Sequence, residues 1–434
     1  MLERKRIVRT GWLVALALLL LGGRAAAQEE EPVTGWNAVI APSLSLSSES
    51  GFQYGLFGEF YYYGDGNSYP DPVHQFKWTA NHSTLGRTRL NLLYDSKYLI
   101  PGMRVTALAL FLDDPLYRFY GFNGAASPFS KELKLAHHYH LARRYFQSFV
   151  NLQGDINEHL KWAAGVSYWD FRIHAYNDVK YGGDASASLY TRYVNTGVIK
   201  PHESEGGRVL EFRAGFAYDT RDREAAPNSG ILADAYLNGA PDVFGSGAPY
   251  LKACFHWAQF ITIPLGFIPA GDPVFAYKIS YQGTLAGEAP FYMQQVVPAL
   301  VPKKVISEGL GGSNTLRGVY ANRLVAGDYL WGNFEARIKL VKFQVQGKNI
   351  YIAVNPFFDC ATAPGTYRIQ EMAAMEGVSV AEIRKQAHAL VHSAGTGIKI
   401  AYNENFILSM EMAHCFNPGF GDPVWFNFGT NYSF

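Results

Sequence analysis

The sequence predicts an all-β protein: a transmembrane antiparallel β-barrel of about sixteen strands, with a long loop folded into its lumen. Three observations predict it. Apolar residues make up 48% of the chain, yet the mean hydropathy is -0.07, so they are spread along it and not gathered into long runs. The 28 Tyr, 29 Phe and 8 Trp suit short strands with an apolar outer face and aromatic girdles, and 43 Gly and 21 Pro supply the turns between them. Lastly, the glycine-permitted bend Gly311-Gly312-Ser313-Asn314-Thr315-Leu316-Arg317-Gly318 precedes a strand in which Asn333, Glu335, Arg337 and Lys339 alternate with Phe334, Ala336, Ile338 and Leu340. In a closed barrel the first set faces the lumen and the second faces lipid, so the lumen is where such a bend can be held.

The chain opens with basic Arg4, Lys5, Arg6 and Arg9, then an apolar run over 11–21, then Ala25-Ala26-Ala27. This reads as a cleaved secretory signal over residues 1–27; the run is shorter than the roughly 20 residues a spanning helix needs. No cysteine follows it, which excludes a lipid anchor of the lipoprotein kind. Residues 28–35 form a short segment and 36–434 a single barrel domain, leaving no room for a periplasmic domain.

Along that domain the two-residue period appears in Phe76/Trp78/Ala80, Leu90/Leu92/Tyr94, Phe212/Ala214/Phe216/Tyr218 and Phe275/Tyr277/Ile279/Tyr281. In 162–173 and 255–263 the alternation slips by one residue, which reads as bulges. Residues 351–360 read as one strand. Ile398/Ile400/Tyr402 and Phe406/Leu408/Met410/Met412 are faces of two strands joined by Asn403-Glu404-Asn405, and alternation runs unbroken over 424–434. An even strand count puts both ends in the periplasm and the long connections 175–207, 287–327 and 361–394 outside the cell. Within the last, Met372, Met375, Val380, Ile383, Ala387 and Leu390 fall on one stripe, predicting one or two short helices broken at Gly377.

Little points to chemistry on a substrate. Net charge is +1, so neither nucleic acid nor a polybasic membrane surface is indicated. Cys254, Cys360 and Cys415 are odd in number, far apart and in strand-like segments, where a small apolar role fits. In His137-His138-Tyr139-His140, read as a strand, only His138 and His140 share a face, and no nucleophile motif lies nearby. No catalytic residue, metal site or cofactor is expected. Asp219, Arg221 and Asp222 read as an ion-pair group at the periplasmic rim.

Four segments resemble the bacterial surface antigen family, the superfamily of barrel-assembly proteins and two-partner-secretion translocators. Residues 311–318, with Gly311, Gly312, Leu316 and the Arg317-Gly318 pair, resemble its sixth extracellular loop, which folds into the lumen. Asn333-Phe334-Glu335-Ala336-Arg337 resembles the strand that follows. Asn355-Pro356-Phe357-Phe358-Asp359-Cys360-Ala361 resembles the next strand's F-x-D-x-G element, with Ala361 where the family prefers Gly. Ala217-Tyr218-Asp219-Thr220-Arg221-Asp222, followed by Pro227 and Gly230, resembles a strand with its periplasmic turn. The resemblance covers the C-terminal half well, and the first half in pattern only. It implies that Arg317 enters the lumen. Because Asp359 shares a face with Phe357, opposite Phe358 and Ile352, Arg317 would there meet Asp359 and Glu335. The aromatic end, Tyr432 and Phe434, resembles the terminal strand of outer-membrane barrels and implies a signal read by the assembly machinery during biogenesis.

The implied location is the outer membrane of a Gram-negative bacterium, with lipid and lipopolysaccharide around the barrel. Family members that insert or secrete proteins usually carry periplasmic polypeptide-transport-associated domains, and this chain resembles the branch without them. Three functions stay open: a protein assembly or export barrel with a separate periplasmic or surface partner, a small-solute channel, and a structural partner-binding barrel.

Overall fold

The computed structural model describes residues 34–434 apart from 48–50, 69–71, 178–183, 224–225, 245–247, 269, 302–308, 346–347, 403–405, 431 and 433. The leader and the Asn403-Glu404-Asn405 turn therefore lie outside the described residues. No helix among the described residues is long and apolar enough to cross a membrane, a statement that does not bear on strands.

Seventeen strands form one antiparallel sheet. In chain order they are β1 (Trp36–Ser47), β2 (Gly51–Tyr62), β3 (His74–Ser83), β4 (Thr88–Ile100), β5 (Met103–Arg118) and β6 (His140–Asp155). Then come β7 (Leu160–Ala175), β8 (Gly206–Asp219), β9 (Gly230–Ala240), β10 (Tyr250–Thr262), β11 (Val274–Gly287) and β12 (Tyr329–Val345). The last are β13 (Lys348–Val354), β14 (Phe357–Thr362), β15 (Val391–Tyr402), β16 (Phe406–Cys415) and β17 (Trp425–Thr430). Both β13 and β14 lie between β12 and β15, so they are two pieces of one stave and the barrel has sixteen. The single strand expected over 351–360 is thus broken, at Asn355-Pro356, because proline has no N–H to give a ladder. The pleat keeps its phase across the break: Tyr351, Ala353, Phe357 and Asp359 are buried inward, while Phe358 is exposed outward.

The bulges expected in 162–173 and 255–263 are absent. β7 keeps one register against both neighbours, and β10 does so from Lys252 to its end. What changes is the content of the lumen. Trp169, Phe171 and Ile173 face inward into an apolar core, and Phe260 faces inward against Phe434. The hydrophobic phase therefore switches without a break in the ladder. Register shifts occur instead at 96/100, 114/117, 251/252 and 339/341.

The inward core is built by the connections at one rim. It joins Phe119, Phe122, Tyr193, Phe291, Tyr367 and Met372, all at most 2% exposed, from four separate connections. Within 361–394 the helices α1 (Ile369–Glu376) and α2 (Val380–Ala387) flank Gly377, whose φ of 67° ends α1 in the left-handed region. Met372, Ile383 and Ala387 are buried as the stripe predicts, but Leu390 falls beyond α2 and is exposed. Arg368 ties this connection to 176–205 and 288–328 by pairing with Glu203 and Glu288.

His137 to His140 do not form one strand. His137 has φ 58° in a turn, β6 begins at His140, and it is the His137 and His140 rings that meet, with centroids 5.0 Å apart. Asp219 receives Arg221 in a bidentate pair, while Asp222 accepts from the backbone N–H of Asn228 and Ser229 and shapes the turn. Cys254, Cys360 and Cys415 are free thiols on β10, β14 and β16.

Candidate functional site

The inner wall of β12 to β16 carries a buried polar patch set among apolar residues, and the bend of the 288–328 connection packs against it. On β12, Asn333, Glu335 and Arg337 are buried inward, as their alternation with Phe334, Ala336 and Ile338 dictates. Directly opposite Asn333 lies Asp359 on β14, and opposite Asp359 lies Ser393 on β15. Gly395 and Gly397 leave this wall bare where it is most crowded. A Cβ at Gly395 would come within 2.5 Å of the Phe357 ring, and one at Gly397 within 2.5 Å of Asn355 Oδ1.

The bend at 311–318 sits against that surface. Thr315 Oγ1 accepts from the Gly311 N–H and donates back to the Gly311 carbonyl, and Gly312 N–H donates to the Val319 carbonyl. Asn333 Nδ2 donates to the Thr315 carbonyl at 2.7 Å, joining bend to wall. Two glycines are required by the backbone. Gly311 has φ 130° and a Cβ there would lie 1.9 Å from the Tyr320 carbonyl oxygen; Gly318 has φ 88° and its α-carbon faces Ala413 of β16. Leu316 is fully buried, packed in a cluster with Leu310, Val319, Tyr329 and Trp331.

Arg317, also fully buried, is held on every side. Its Nε and Nη2 donate to the two oxygens of Asp359, each at 2.8 Å, and its backbone N–H adds a third bond to the same carboxylate at 3.0 Å. Nη1 donates to Glu335 at 3.0 Å and Glu411 at 3.3 Å, and the guanidinium lies 3.6 Å above the Phe357 ring. The planar fork of arginine suits this bidentate and stacked arrangement, which a lysine would not reproduce.

The network extends beyond the residues read from the sequence. Arg337 donates to Glu335 at 2.7 Å, and Lys399 donates to Glu411 at 2.8 Å and to Ser409. Three cations, Arg317, Arg337 and Lys399, thus meet three carboxylates, Asp359, Glu335 and Glu411, so the buried cluster is balanced. Glu411 and Lys399 were legible in principle: each lies between outward apolar neighbours, Met410 and Met412 or Ile398 and Ile400, which fixes its inward direction.

The chain end departs from the expected strand. β17 stops at Thr430, and Tyr432 and Phe434 leave the lipid-facing alternation. The Arg337 guanidinium lies 4.1 Å from the Tyr432 ring centroid and donates to the Phe434 carbonyl at 2.7 Å. Phe434 packs near Phe260 and Val274, and Tyr432 near Tyr351 and Ile407. The lumen cations supply ring and carbonyl partners that a continued strand would forgo.

Withdrawal of these residues leaves a thin seam. β1 pairs with β2 over its whole length, but with β17 only at Leu46↔Phe428 and Ser47↔Asn427. Along 36–45 the outer edge of β1 faces no strand among the described residues. The inward wall beside it is bare as well: Val39 points inward yet is 50% exposed.

No family model and no curated protein matches the sequence. Solved structures do match in shape. The chain is similar to BamA from Haemophilus ducreyi lacking POTRA domains 1–3, with TM-score 0.59 and 16% identity over 91% of this chain and 70% of that one. It is also similar to CdiB from Escherichia coli, with TM-score 0.56 and 10% identity over 94% of this chain and 64% of that one, so it spans under two thirds of CdiB. At these identities what is shared is the fold: the chain is a sixteen-stave transmembrane β-barrel of the type seen in BamA and CdiB.

Proposed function

We propose that the protein is an outer-membrane barrel that inserts or exports other proteins and receives a client strand at the β1–β17 seam. The observation that carries this reading is the two-residue pairing between β1 and β17 beside a β1 edge that no strand among the described residues pairs. A backbone N–H or C=O left unsatisfied in hydrocarbon costs several kcal/mol, so an edge ten residues long is a standing acceptor for another strand. Strand addition would use main-chain bonds and so tolerate many client sequences. Likeness of fold to BamA and CdiB agrees with this reading.

In this reading Arg317 anchors the 288–328 connection to the wall that leads to the seam on its β17 side, through Asp359, Glu335 and Glu411. The long connections lie outside the cell, residues 1–27 are removed on export, and Tyr432 and Phe434 serve assembly of this barrel itself. Clients arrive through a separate periplasmic partner. A small-solute channel fits less well, because the connections pack an apolar core into one end of the lumen.

The seam itself gives the test. Cysteines at the paired positions, L46C with F428C, should lock β1 to β17 when oxidised, in cells where this protein is the sole copy. Outer-membrane protein levels should fall on oxidation and recover with reductant. Unchanged levels with the seam fully crosslinked would refute strand entry there.

A further inference from the structure

The lipid-facing surface is not uniformly convex. Across β6 to β11 it carries an apolar groove of about 920 Å³, floored by Ala164, Ala214 and Gly239 and walled by Val150, Phe212 and Leu237. A second depression of about 400 Å³ over β4 to β8 shares Val150 and Val166 with it, so the two lie side by side. Phe244, exposed in the β9–β10 connection, packs edge-on against Tyr168 at 5.9 Å and so flanks the second depression with an apolar side chain.

Toward the long-connection rim, three exposed arginines point outward from consecutive strands: Arg144 on β6, Arg172 on β7 and Arg208 on β8. Arg144 and Arg172 are direct cross-strand partners, a placement in which like charges repel. Arg144 pairs with Asp113 at 2.8 Å and Arg208 with Asp170 at 3.7 Å, yet their side chains stay 54% and 61% exposed. Arg172 forms no ion pair among the described residues. Among these five residues three cations thus meet two carboxylates, and the unpaired one, Arg172, sits where two arginines already face each other.

We propose that this face binds a phosphorylated, multiply acylated glycolipid of the outer leaflet. Its phosphate would rest on Arg172, flanked by Arg144 and Arg208, and its chains would divide between the two adjoining grooves. Surrounding bilayer alone would wet the grooves with hydrocarbon. The arginines select among lipids, because a guanidinium fork matches phosphate geometry and a phosphate offsets the Arg144–Arg172 repulsion. Two adjoining depressions, of about 920 and 400 Å³, take separate groups of chains under one headgroup, which favours a multiply acylated lipid over a two-chain phospholipid. The inference needs the long connections to lie outside the cell, but not that the barrel inserts proteins.

Native mass spectrometry of the detergent-solubilised full chain tests it, with diphosphoryl lipid A, its dephosphorylated form and phosphatidylglycerol as probes. Diphosphoryl lipid A should bind at least about tenfold more tightly than either competitor. R144Q/R172Q/R208Q should remove that preference, A164F/A214F should weaken binding of all acylated probes, and R172Q alone should lower lipid A affinity if the triple variant does not fold. Equal affinity for phosphatidylglycerol, or lipid A binding unchanged in R172Q and the triple variant, would overturn the proposal.

Discussion

Two ion pairs inside the same barrel differ in nearly every respect. Arg317 and Asp359 meet with both side chains at 0% exposure, in a bidentate pair stacked on Phe357 and closed over by the 288–328 connection. Lys77 and Glu59, on β3 and β2, meet at 3.1 Å with side chains 40% and 26% exposed, on a wall that no described connection covers. The difference extends to their surroundings. From β12 to β16 nearly every inward residue is buried, whereas on β1 to β3 only Ser83 is, among those described. The barrel therefore has a packed wall that holds a loop and a bare wall that ends in a thin seam. A fold that needed only to enclose a lumen would have no reason to divide its packing so unevenly.

The contrast can be broken by mutation at graded cost. Asp359→Ala should have the largest effect. Removing one partner of a buried pair leaves an uncompensated charge, at about 3–5 kcal/mol. Heat-modifiability on gels should shift to lower temperature, and protease should enter the 288–328 connection. Glu411→Gln keeps an acceptor but strips a charge shared by Arg317 and Lys399, and should cost about 1–3 kcal/mol in the same assay. Lys77→Ala, on the bare wall, should change stability by less than about 1 kcal/mol, within the range of exposed pairs.

A pH effect should appear at the rim, where Asp422 accepts from Tyr320 at 2.5 Å and from Lys134 at 3.2 Å. Burial opposes its charge, but the Tyr320 hydroxyl and the Lys134 ammonium outweigh burial and hold its pKa below the ordinary aspartate value. A depressed carboxylate stabilises the folded state above its unfolded pKa and loses that contribution as pH falls through the lower folded value. The tie between the 416–424 and 288–328 connections should therefore loosen below about pH 4, read by protease accessibility. Asp422→Asn should abolish the pH dependence and leave the Arg317 cluster intact.

Much of the packed wall was legible in the sequence, because a two-residue period fixes direction without reference to any partner. Asn333, Glu335, Arg337 and Asp359 could be placed inward from their neighbours alone, and Glu411 and Lys399 by the same rule. The rule fails where the lumen is not polar. Trp169, Phe171 and Ile173 face inward because loop aromatics fill that end of the barrel, and a local pattern cannot show what a distant loop brings. Tyr432 and Phe434 mislead for a related reason: their alternation continues the strand, but Arg337 offers them a better environment inside. The Pro356 break was written in the sequence and cost only a stave's continuity. The thinness of the seam was not legible, since pairing between the first and last strands is a property of closure and of no single segment.

Hydrogen exchange, resolved to individual amides in the membrane-embedded protein, tests the division of the barrel most directly. Amides of β1 over 36–45 that face the seam should exchange orders of magnitude faster than those of β12 and β14 around Glu335 and Asp359, and Asp359→Ala should accelerate the second group while leaving the first unchanged. Equal protection of the two groups would contradict a barrel with one fixed wall and one available edge.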